Sequence, residues 1–129
     1  MTVRLVGFDH VQLSMPPDGE DEARRFYGDA LGLRQVAKPA ALASRGGCWF
    51  AGPGVAIHLG TEPGFQPLAK AHPALLVDDL AAARETLAAA GIGAEEDDSG
   101  LGLRRCYVRD PFGNRIELVD ARDGGFSDR

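Results

Sequence analysis

The sequence repeats one order of predicted elements after about sixty residues, and this repeat restricts the possible folds more than any other feature. In each half, the pattern predicts a strand, a helix and three further strands. Three pairs of residues share the spacing: His10 with His72, Cys48 with Cys106, and His58 with Glu117. We therefore predict an α+β fold, a single domain over residues 1–129 made of two tandem βαβββ modules, about residues 5–60 and 71–120. Their curved mixed sheets are expected to enclose a groove.

The first module is predicted from its hydrophobic periodicity. Alternation over Phe8–Met15 indicates a half-polar strand. Apolar residues at helical spacing indicate a helix over Glu20–Leu31, ended by Gly32. The Ala-rich Pro39–Ser44 is compatible with a helical turn or with a loop. Three more strands are predicted, at Leu33–Ala37, Gly47–Ala51 and Val55–Leu59.

The second module repeats this order after a predicted linker, Gly60–Ala71. His72–Val77 is predicted as a strand and Asp79–Ala90 as a helix, with Asp78 or Asp79 as its N-cap. The charged segment 120–129 is predicted to fray. Three further strands are predicted, at Ile92–Glu95, Leu103–Arg109 and Arg115–Val119.

The last two strands are expected to form a hairpin around the sequence Asp110-Pro111-Phe112-Gly113-Asn114. Proline presets φ near −65° and glycine supplies a position of positive φ, which together are typical of a tight turn. In the second strand of the hairpin, Glu117 lies on the face opposite Ile116 and Leu118. The turn therefore fixes which face of the sheet carries the Glu117 carboxylate.

Composition excludes several classes of function. The formal net charge of −5 at pH 7 and the lack of a basic run argue against nucleic-acid binding. No apolar stretch approaches the ~20 residues of a membrane span, and no signal peptide precedes Val3. The two cysteines, Cys48 and Cys106, are too few for a disulfide framework and are expected to be reduced and buried. These features favour a cytoplasmic protein.

Three histidines and one carboxylate take corresponding positions in the two modules. Strand alternation places each of them opposite the apolar face of its strand, so all four are expected to point into the groove. An isolated histidine in a strand is more often a core or surface residue, but the shared position favours a joint role. Neutral imidazoles with one carboxylate suit Zn²⁺, Fe²⁺, Mn²⁺, Ni²⁺ or Co²⁺. The candidate metal ligands are His10, His58, His72 and Glu117.

The remaining candidates each have a plainer explanation. Gln12 and Ser14 share the face of His10 and would bind substrate or simply form a polar rim. Trp49 and Tyr107 would line the groove or pack in the core. Basic residues of the hairpin are expected to be solvated, although they are also suited to an anionic substrate. These basic residues are Arg104, Arg105 and Arg109.

Four motifs, taken in order, resemble the vicinal oxygen chelate superfamily over about residues 5–120. They are Phe8-Asp9-His10-Val11, Arg25-Phe26-Tyr27 before Leu31-Gly32-Leu33, His72-Pro73-Ala74 before Val77-Asp78-Asp79-Leu80, and Asp110-Pro111-Phe112-Gly113-Asn114-Arg115-Ile116-Glu117-Leu118. That superfamily includes glyoxalase I, fosfomycin-resistance thiol transferases, extradiol dioxygenases and bleomycin-resistance proteins. The resemblance implies a glyoxalase-like fold.

The resemblance also implies a ligand set, because the metalloenzymes place their ligands on the first and last strands of each module. In this chain those positions are His10, His58, His72 and Glu117, with Glu117 as the catalytic carboxylate. Glyoxalase I usually has Glu or Gln where this chain has His58, which weakens the resemblance to glyoxalase itself. The shared chemistry is chelation of vicinal substrate oxygens by the metal, which stabilises an oxyanion.

Two classes of function are therefore expected. The first is a divalent-metal-dependent enzyme: a lyase or isomerase, a thiol transferase or a dioxygenase acting on a small molecule with vicinal oxygens. The alternative is a non-catalytic protein that binds an antibiotic or metabolite, similar to bleomycin-resistance proteins, which generally lack the ligands. Family members often build the groove from modules of two chains, so the resemblance implies a homodimer, although pairing within one chain is also compatible with the linker.

Overall fold

A computed structural model describes residues 1–126 of the chain. It divides into two compact units, Met1–Phe65 and Gln66–Arg129, which are described separately below. Each unit contains one sheet of four strands. The predicted α+β fold of repeated βαβββ units is confirmed. Of the segment predicted to fray, residues 127–129 lie outside the described part.

The first unit forms a mixed sheet in the order β1-β4-β3-β2. β1 runs parallel to β4, whereas β3 is antiparallel to both β4 and β2. The Ala-rich segment that could have been a helical turn or a loop forms a 3-10 helix over Ala40–Arg45. The strands are β1 (Val11–Met15), β2 (Arg34–Val36), β3 (Cys48–Gly52) and β4 (Val55–Thr61).

The predicted helix of the first unit is present but changes its winding. It begins as α1 (Glu20–Ala23) and continues as a π-helical segment, Arg24–Ala30, in which the Leu31 N–H donates to the Phe26 carbonyl at 2.9 Å. Phe26 and its neighbour Tyr27 are both buried, and the Tyr27 ring stacks on Phe50 of β3 at 5.6 Å. The helix therefore covers the apolar face of the sheet.

The first strand is shorter than predicted. Residues 8–10 of the predicted strand Phe8–Met15 lie outside β1, whose ladder begins with Val11 opposite Ile57. Alternation of polar and apolar residues arises equally in an extended segment without a partner strand, so the pattern alone could not place this boundary. His10 therefore directly precedes β1 instead of lying within it.

The second unit forms a sheet in the order β5-β8-β7-β6, with β5 parallel to β8 and the other pairs antiparallel. The predicted strand at Ile92–Glu95 was misplaced, because the short edge strand begins only where Glu95 reaches Tyr107 of β7. His72, predicted to open a strand, lies two residues before β5. The strands are β5 (Ala74–Val77), β6 (Glu95–Glu96), β7 (Arg105–Arg109) and β8 (Arg115–Asp120).

The helix α2 (Leu80–Ala89) agrees with the prediction at both ends. The Asp79 side chain accepts a hydrogen bond from the Ala82 N–H and caps the helix, as predicted. Gly91 follows the helix with a φ of +81°, in the left-handed region. The Leu80 N–H donates to the fully buried Asp120 carboxylate, which anchors the start of α2 to the end of β8.

The ladders confirm the internal repeat residue by residue. In the two parallel pairs, Gln12 lies opposite His58 and Ala74 lies opposite Glu117. The antiparallel pairs correspond as well. There, Trp49 faces His58 as Tyr107 faces Glu117, Cys48 faces Leu59 as Cys106 faces Leu118, and Ala51 faces Ala56 as Arg109 faces Arg115. Positions in one unit can therefore be compared directly with positions in the other.

The cysteines and the helices agree with what the composition predicts. Both cysteines are buried and free, and burial raises the pKa of each thiol. Among residues 1–126, every helix is too short or too polar to cross a membrane.

Candidate functional site

The second unit brings His72 and Glu117 into direct contact. Glu117 lies opposite Ala74 in the ladder, and His72 precedes Ala74 by two residues, which places both side chains on one face of the sheet. The His72 Nε2 is 3.0 Å from the Glu117 Oε1, and the His72 Nδ1 is 2.6 Å from the Lys70 carbonyl oxygen. Glu117 is buried although it is a carboxylate.

The contact with Lys70 determines which nitrogen of the His72 ring is the donor. A carbonyl oxygen can only accept, so Nδ1 must carry the proton that it donates to Lys70. In a neutral imidazole, Nε2 is then unprotonated, and its lone pair faces a carboxylate oxygen at 3.0 Å. Two acceptors at this distance are joined either by a proton on one of them or by a metal ion.

The geometry fits a metal ion. Donor atoms about 2.1 Å from one metal and at right angles lie about 3.0 Å apart, which is the distance between the two side chains. A ligating histidine also usually donates its other ring N–H to a carbonyl or carboxylate. The Lys70 carbonyl supplies that second contact. The spacing of the His72 Nε2 and the Glu117 Oε1 is thus compatible with two ligands of one divalent ion and also with a direct hydrogen bond between the two side chains.

Arg105 binds the other oxygen of Glu117. Its Nη1 donates to the Glu117 Oε2 at 3.2 Å, and its Nη2 donates to the Asp97 Oδ1 at 3.1 Å. The Arg105 Nε also lies 2.8 Å from the Asp97 Oδ2, without hydrogen-bond geometry. The three side chains are only 13%, 10% and 5% exposed for Arg105, Asp97 and Glu117. Arg105 therefore holds the carboxylate so that Oε1 faces His72.

The ion pair perturbs the titration of its outer members. The hydrogen bond from Arg105, followed by that from the Ser99 amide, lowers the pKa of Asp97 to about 2. The hydrogen bond to Asp97 raises the pKa of Arg105 above its ordinary value, with Glu117 contributing after it. Both groups are thus charged over the whole range in which proteins are usually handled.

Tyr107, predicted as a substrate contact, lies beside this pair. It faces Glu117 across the ladder, and its ring meets the His72 ring edge-on with centroids 5.5 Å apart. The Arg115 guanidinium carbon lies 3.9 Å from the Tyr107 centroid, and that of Arg105 lies 5.6 Å from it. The Tyr107 ring therefore contacts the His72 imidazole and the guanidinium groups of Arg105 and Arg115.

The first unit places His58 in a stack of three rings. Trp49 covers one face of His58 at 3.7 Å with an interplanar angle of 4°, and His10 covers the other face at 4.0 Å with an angle of 17°. Burial, followed by the nearby His10, lowers the pKa of His58, whereas Asp9 opposes this shift. His58 is thus kept as a neutral imidazole, the form that binds metals.

His10 also makes a contact that is typical of a metal ligand. Its Nδ1 lies 2.7 Å from the Asp9 carboxylate, which leaves Nε2 for another partner. Gln12 and Ser14 follow on β1, and a Cβ atom at Gly60 would collide with the Gln12 amide. The first unit therefore gathers His10 and His58, as the second gathers His72 and Glu117. Within residues 1–126, no three His, Cys, Asp or Glu side chains form a metal-binding group.

Sequence reasoning missed the buried role of Arg105. It favoured solvated charges on the hairpin, which was wrong for Arg105 but describes Arg104, whose guanidinium is half-exposed. The turn sets the ladder at Arg109 opposite Arg115, so Tyr107 must face Glu117 and Arg105 must lie on the same face. This register could have indicated Arg105, whereas its partner Asp97 lies in a loop and had no comparable signal.

Comparison with known proteins gives one family. The model of the Glyoxalase/Bleomycin resistance protein/Dioxygenase superfamily matches residues 7–118. A glyoxalase family protein from Bacillus anthracis is 42% identical, with a TM-score of 0.88, and the match covers 93% of this chain and 98% of that one. The search of curated proteins found no match.

Two more distant structures share the fold. The fosfomycin resistance protein FosX from Listeria monocytogenes is 17% identical, with a TM-score of 0.70, and the match covers 98% of this chain and 97% of that one. The antibiotic-binding protein TnmS3 from Streptomyces sp. CB03234 is 24% identical, with a TM-score of 0.64, and the match covers 90% of this chain and 98% of that one. At these identities the similarity concerns the fold alone.

Proposed function

This chain belongs to the Glyoxalase/Bleomycin resistance protein/Dioxygenase superfamily, and on that premise we propose that it is a divalent-metal-dependent enzyme. Its substrate is a small molecule with vicinal oxygens, and its reaction is that of a lyase or isomerase, a thiol transferase or a dioxygenase. The observation that supports the proposal is the 3.0 Å contact of the His72 Nε2 with the Glu117 Oε1, while the His72 Nδ1 is held by the Lys70 carbonyl.

His72 and Glu117 are the two ligands with the strongest support. His10 and His58 complete the proposed set, because they take the corresponding positions in the repeat and His58 is held neutral. A bound divalent ion would act as a Lewis acid that polarises the vicinal oxygens and stabilises the resulting oxyanion. Zn²⁺, Fe²⁺, Mn²⁺, Ni²⁺ and Co²⁺ all suit these donors.

The other residues of the site orient this pair. The Lys70 carbonyl fixes the tautomer of His72, and Arg105 leaves Oε1 as the carboxylate oxygen that faces the site. We propose Glu117 as the catalytic carboxylate, because a carboxylate beside a bound substrate can act as a general base. The proposed substrate contacts are Gln12, Ser14, Trp49 and Tyr107.

A homodimer is the proposed assembly. Val3, Leu5, Val6 and Phe8 are each at least 86% exposed, although all four are large and apolar. Contiguous exposed apolar side chains mark interaction surfaces. This segment leads directly into His10, so a partner that covers it would lie beside the first proposed ligand.

Metal titration of the purified chain by calorimetry tests the proposed function. We expect about one ion per chain, and a Kd weakened about 100-fold or more in Glu117→Gln and His72→Ala, since each loses a ligand atom. Glu95→Gln is the matched control, because Glu95 is a carboxylate at the exposed edge of the same sheet and should leave the Kd unchanged. Wild-type affinity and stoichiometry in Glu117→Gln would contradict the ligand assignment.

A non-catalytic binding protein is the alternative, favoured by the stack of Trp49, His58 and His10. A planar ligand can extend this stack of three parallel rings by lying on the outer face of Trp49 or of His10. The related fold of the antibiotic-binding protein TnmS3 is compatible with this role. If the chain binds none of the five metals, a ligand screen that monitors its single tryptophan, Trp49, becomes the decisive experiment.

A further inference from the structure

Arg115 is placed at an energetic cost. It opens β8 on the same face as Glu117, directly opposite Arg109 of β7. Like charges in such a cross-strand pair repel each other and destabilise the sheet. Arg109 is compensated, because its Nε lies 3.6 Å from the Glu95 carboxylate and its Nη1 donates to the Gly113 carbonyl.

Within residues 1–126, Arg115 has no such compensation. Its Nε is buried without a hydrogen-bond partner, and no carboxylate in this part of the chain forms an ion pair with it. The guanidinium lies over the Tyr107 ring, which offers a cation–π contact but no acceptor for the buried N–H. A buried donor left unpaired destabilises the folded protein.

The fold itself does not require an arginine there. Ala56 takes the position of Arg115 in the first unit, and Ala51 takes that of Arg109. The same ladder therefore forms with two alanines and no repulsion. The unpaired guanidinium is better explained by a ligand than by the stability of the sheet.

The other basic groups on this face are already neutralised. Arg105 pairs with Asp97 and Glu117, and Arg109 pairs with Glu95. Arg115 therefore contributes a positive charge that no described side chain cancels. A planar guanidinium binds carboxylate, phosphate and phosphonate groups through two parallel hydrogen bonds, whereas a neutral diol leaves its charge uncompensated.

Arg115 lies on the same strand face as the proposed ligand Glu117 and is connected to His72 through Tyr107. The Tyr107 ring contacts the Arg115 guanidinium on one side and the His72 imidazole on another. Tyr107 in turn faces Glu117 across the ladder. The guanidinium and the His72–Glu117 pair thus contact the same aromatic ring.

We infer that Arg115 forms a subsite for an anionic group, so that the substrate carries a carboxylate, phosphate or phosphonate beside its vicinal oxygens. This inference rests on the proposed function for the substrate's other end, which the metal would hold. The proposed anion contact is made by Arg115, which is not one of the proposed metal ligands, so it can be measured with or without metal.

The test is calorimetric titration of the full chain with inorganic phosphate, glycolate and the neutral analogue glycolamide, before and after loading with Mn²⁺. In the wild type we expect phosphate to bind, and glycolate to bind more tightly than glycolamide. Arg115→Met should weaken both anions about tenfold or more, as expected when a charge-assisted hydrogen bond is lost, and leave glycolamide unchanged. Arg109→Met, the matched control from the same face, should change anion binding less than about twofold.

Several outcomes would overturn the inference. They are an anion affinity in Arg115→Met equal to that of the wild type, an equal loss in Arg109→Met, and no binding of either anion by the wild type. Arg115→Lys keeps the charge without the fork and should show an intermediate loss, which guards against misfolding of the Met variant. A separate Mn²⁺ titration distinguishes the two proposals. If the wild type binds phosphate through Arg115 but no Mn²⁺, the anion subsite stands and the metal-dependent function fails.

Discussion

Replacing Arg105 with methionine tests whether the Asp97–Arg105–Glu117 network holds the proposed site together. Methionine retains much of the aliphatic stem of Arg105 but removes the guanidinium, which lies between two carboxylates that are 10% and 5% exposed. After the substitution, both carboxylates remain buried without their counter-charge. We therefore expect a less stable protein in which the Glu117 carboxylate is less well oriented.

The magnitude follows from what each carboxylate retains. Removing one partner from a fully buried ion pair costs about 3–5 kcal/mol. Glu117 keeps its contact with His72, and Asp97 keeps hydrogen bonds from the Ser99 amide and hydroxyl. We expect the free energy of unfolding to fall by about 2 kcal/mol in Arg105→Met, which corresponds to a decrease in Tm of roughly 8 °C. The Kd for Mn²⁺ should rise about tenfold, as is typical when a residue that orients a ligand is lost.

The pH dependence gives a second, independent readout. The pKa of Asp97 is lowered to about 2 in the folded protein, chiefly by Arg105, and is near 3.9 when the chain is unfolded. A carboxyl group with a depressed pKa stabilises the fold above its unfolded pKa, and that stabilisation is lost as the pH falls from about 4 to about 2. Thermal melts across this range should show a smaller loss in Arg105→Met than in the wild type.

Arg104→Met is the matched control, because Arg104 is the neighbouring arginine and pairs with Asp123 at the surface. An exposed ion pair contributes little, so its Tm should stay within roughly 3 °C of the wild type. If Arg105→Met has the same Tm and acid profile as Arg104→Met, the network does not stabilise the protein. An unchanged Kd for Mn²⁺ would show that Arg105 does not orient Glu117.

Two further predictions concern the turn and the assembly. Gly113→Val should lower the free energy of unfolding by about 2–3 kcal/mol, because φ is +92° and a Cβ would lie 2.9 Å from the Pro67 ring. Gly54→Ala, where φ is +74° and the space is open, should lower it less. A wild-type Tm in Gly113→Val would refute the turn argument. Light scattering should give a dimer for the wild type and a monomer for Phe8→Asp. Leu101→Asp, also at an exposed apolar residue, should remain dimeric. A wild type that stays monomeric at all concentrations would contradict the proposed assembly.

The repeat and the hairpin could be predicted because both depend on local chemistry. In the turn, the Asp110 carboxylate accepts hydrogen bonds from the Phe112 and Asn114 N–H groups at 2.9 and 2.8 Å. These contacts lie within five residues of the chain, and they set the register of β7 on β8. The face that carries Glu117 follows from that register and from alternation, so it was accessible from the sequence.

The network around Glu117 was not accessible in the same way. Asp97 reaches Arg105 from a loop, and nothing in the loop sequence indicates which of three neighbouring hairpin arginines it will contact. The boundaries of β1 and β5 also depend on the partner strand, because an extended segment alternates whether or not it is paired. Both failures concern tertiary contacts, on which local patterns carry no information.

Comparison of the two units separates residues needed by the fold from residues kept for chemistry. Cys48 and Cys106, at matching places in the two ladders, are buried in both units, as a core position requires. One cross-strand pair differs between the units. The first unit has two alanines there, and the second has Arg109 and Arg115.

The two units also differ in charge at the pair that contains His58 in the first unit and Glu117 in the second. The first unit places Trp49 against a neutral His58, and the second places Tyr107 against the charged Glu117. Since both units form the same ladder, these differences are not imposed by the backbone. The first unit therefore supplies flat, uncharged rings, whereas the second supplies a carboxylate, an imidazole and an unpaired guanidinium. If the second unit recognises an anion and a cation together, substitutions in its charged face should change binding more than substitutions at the matching alanines of the first.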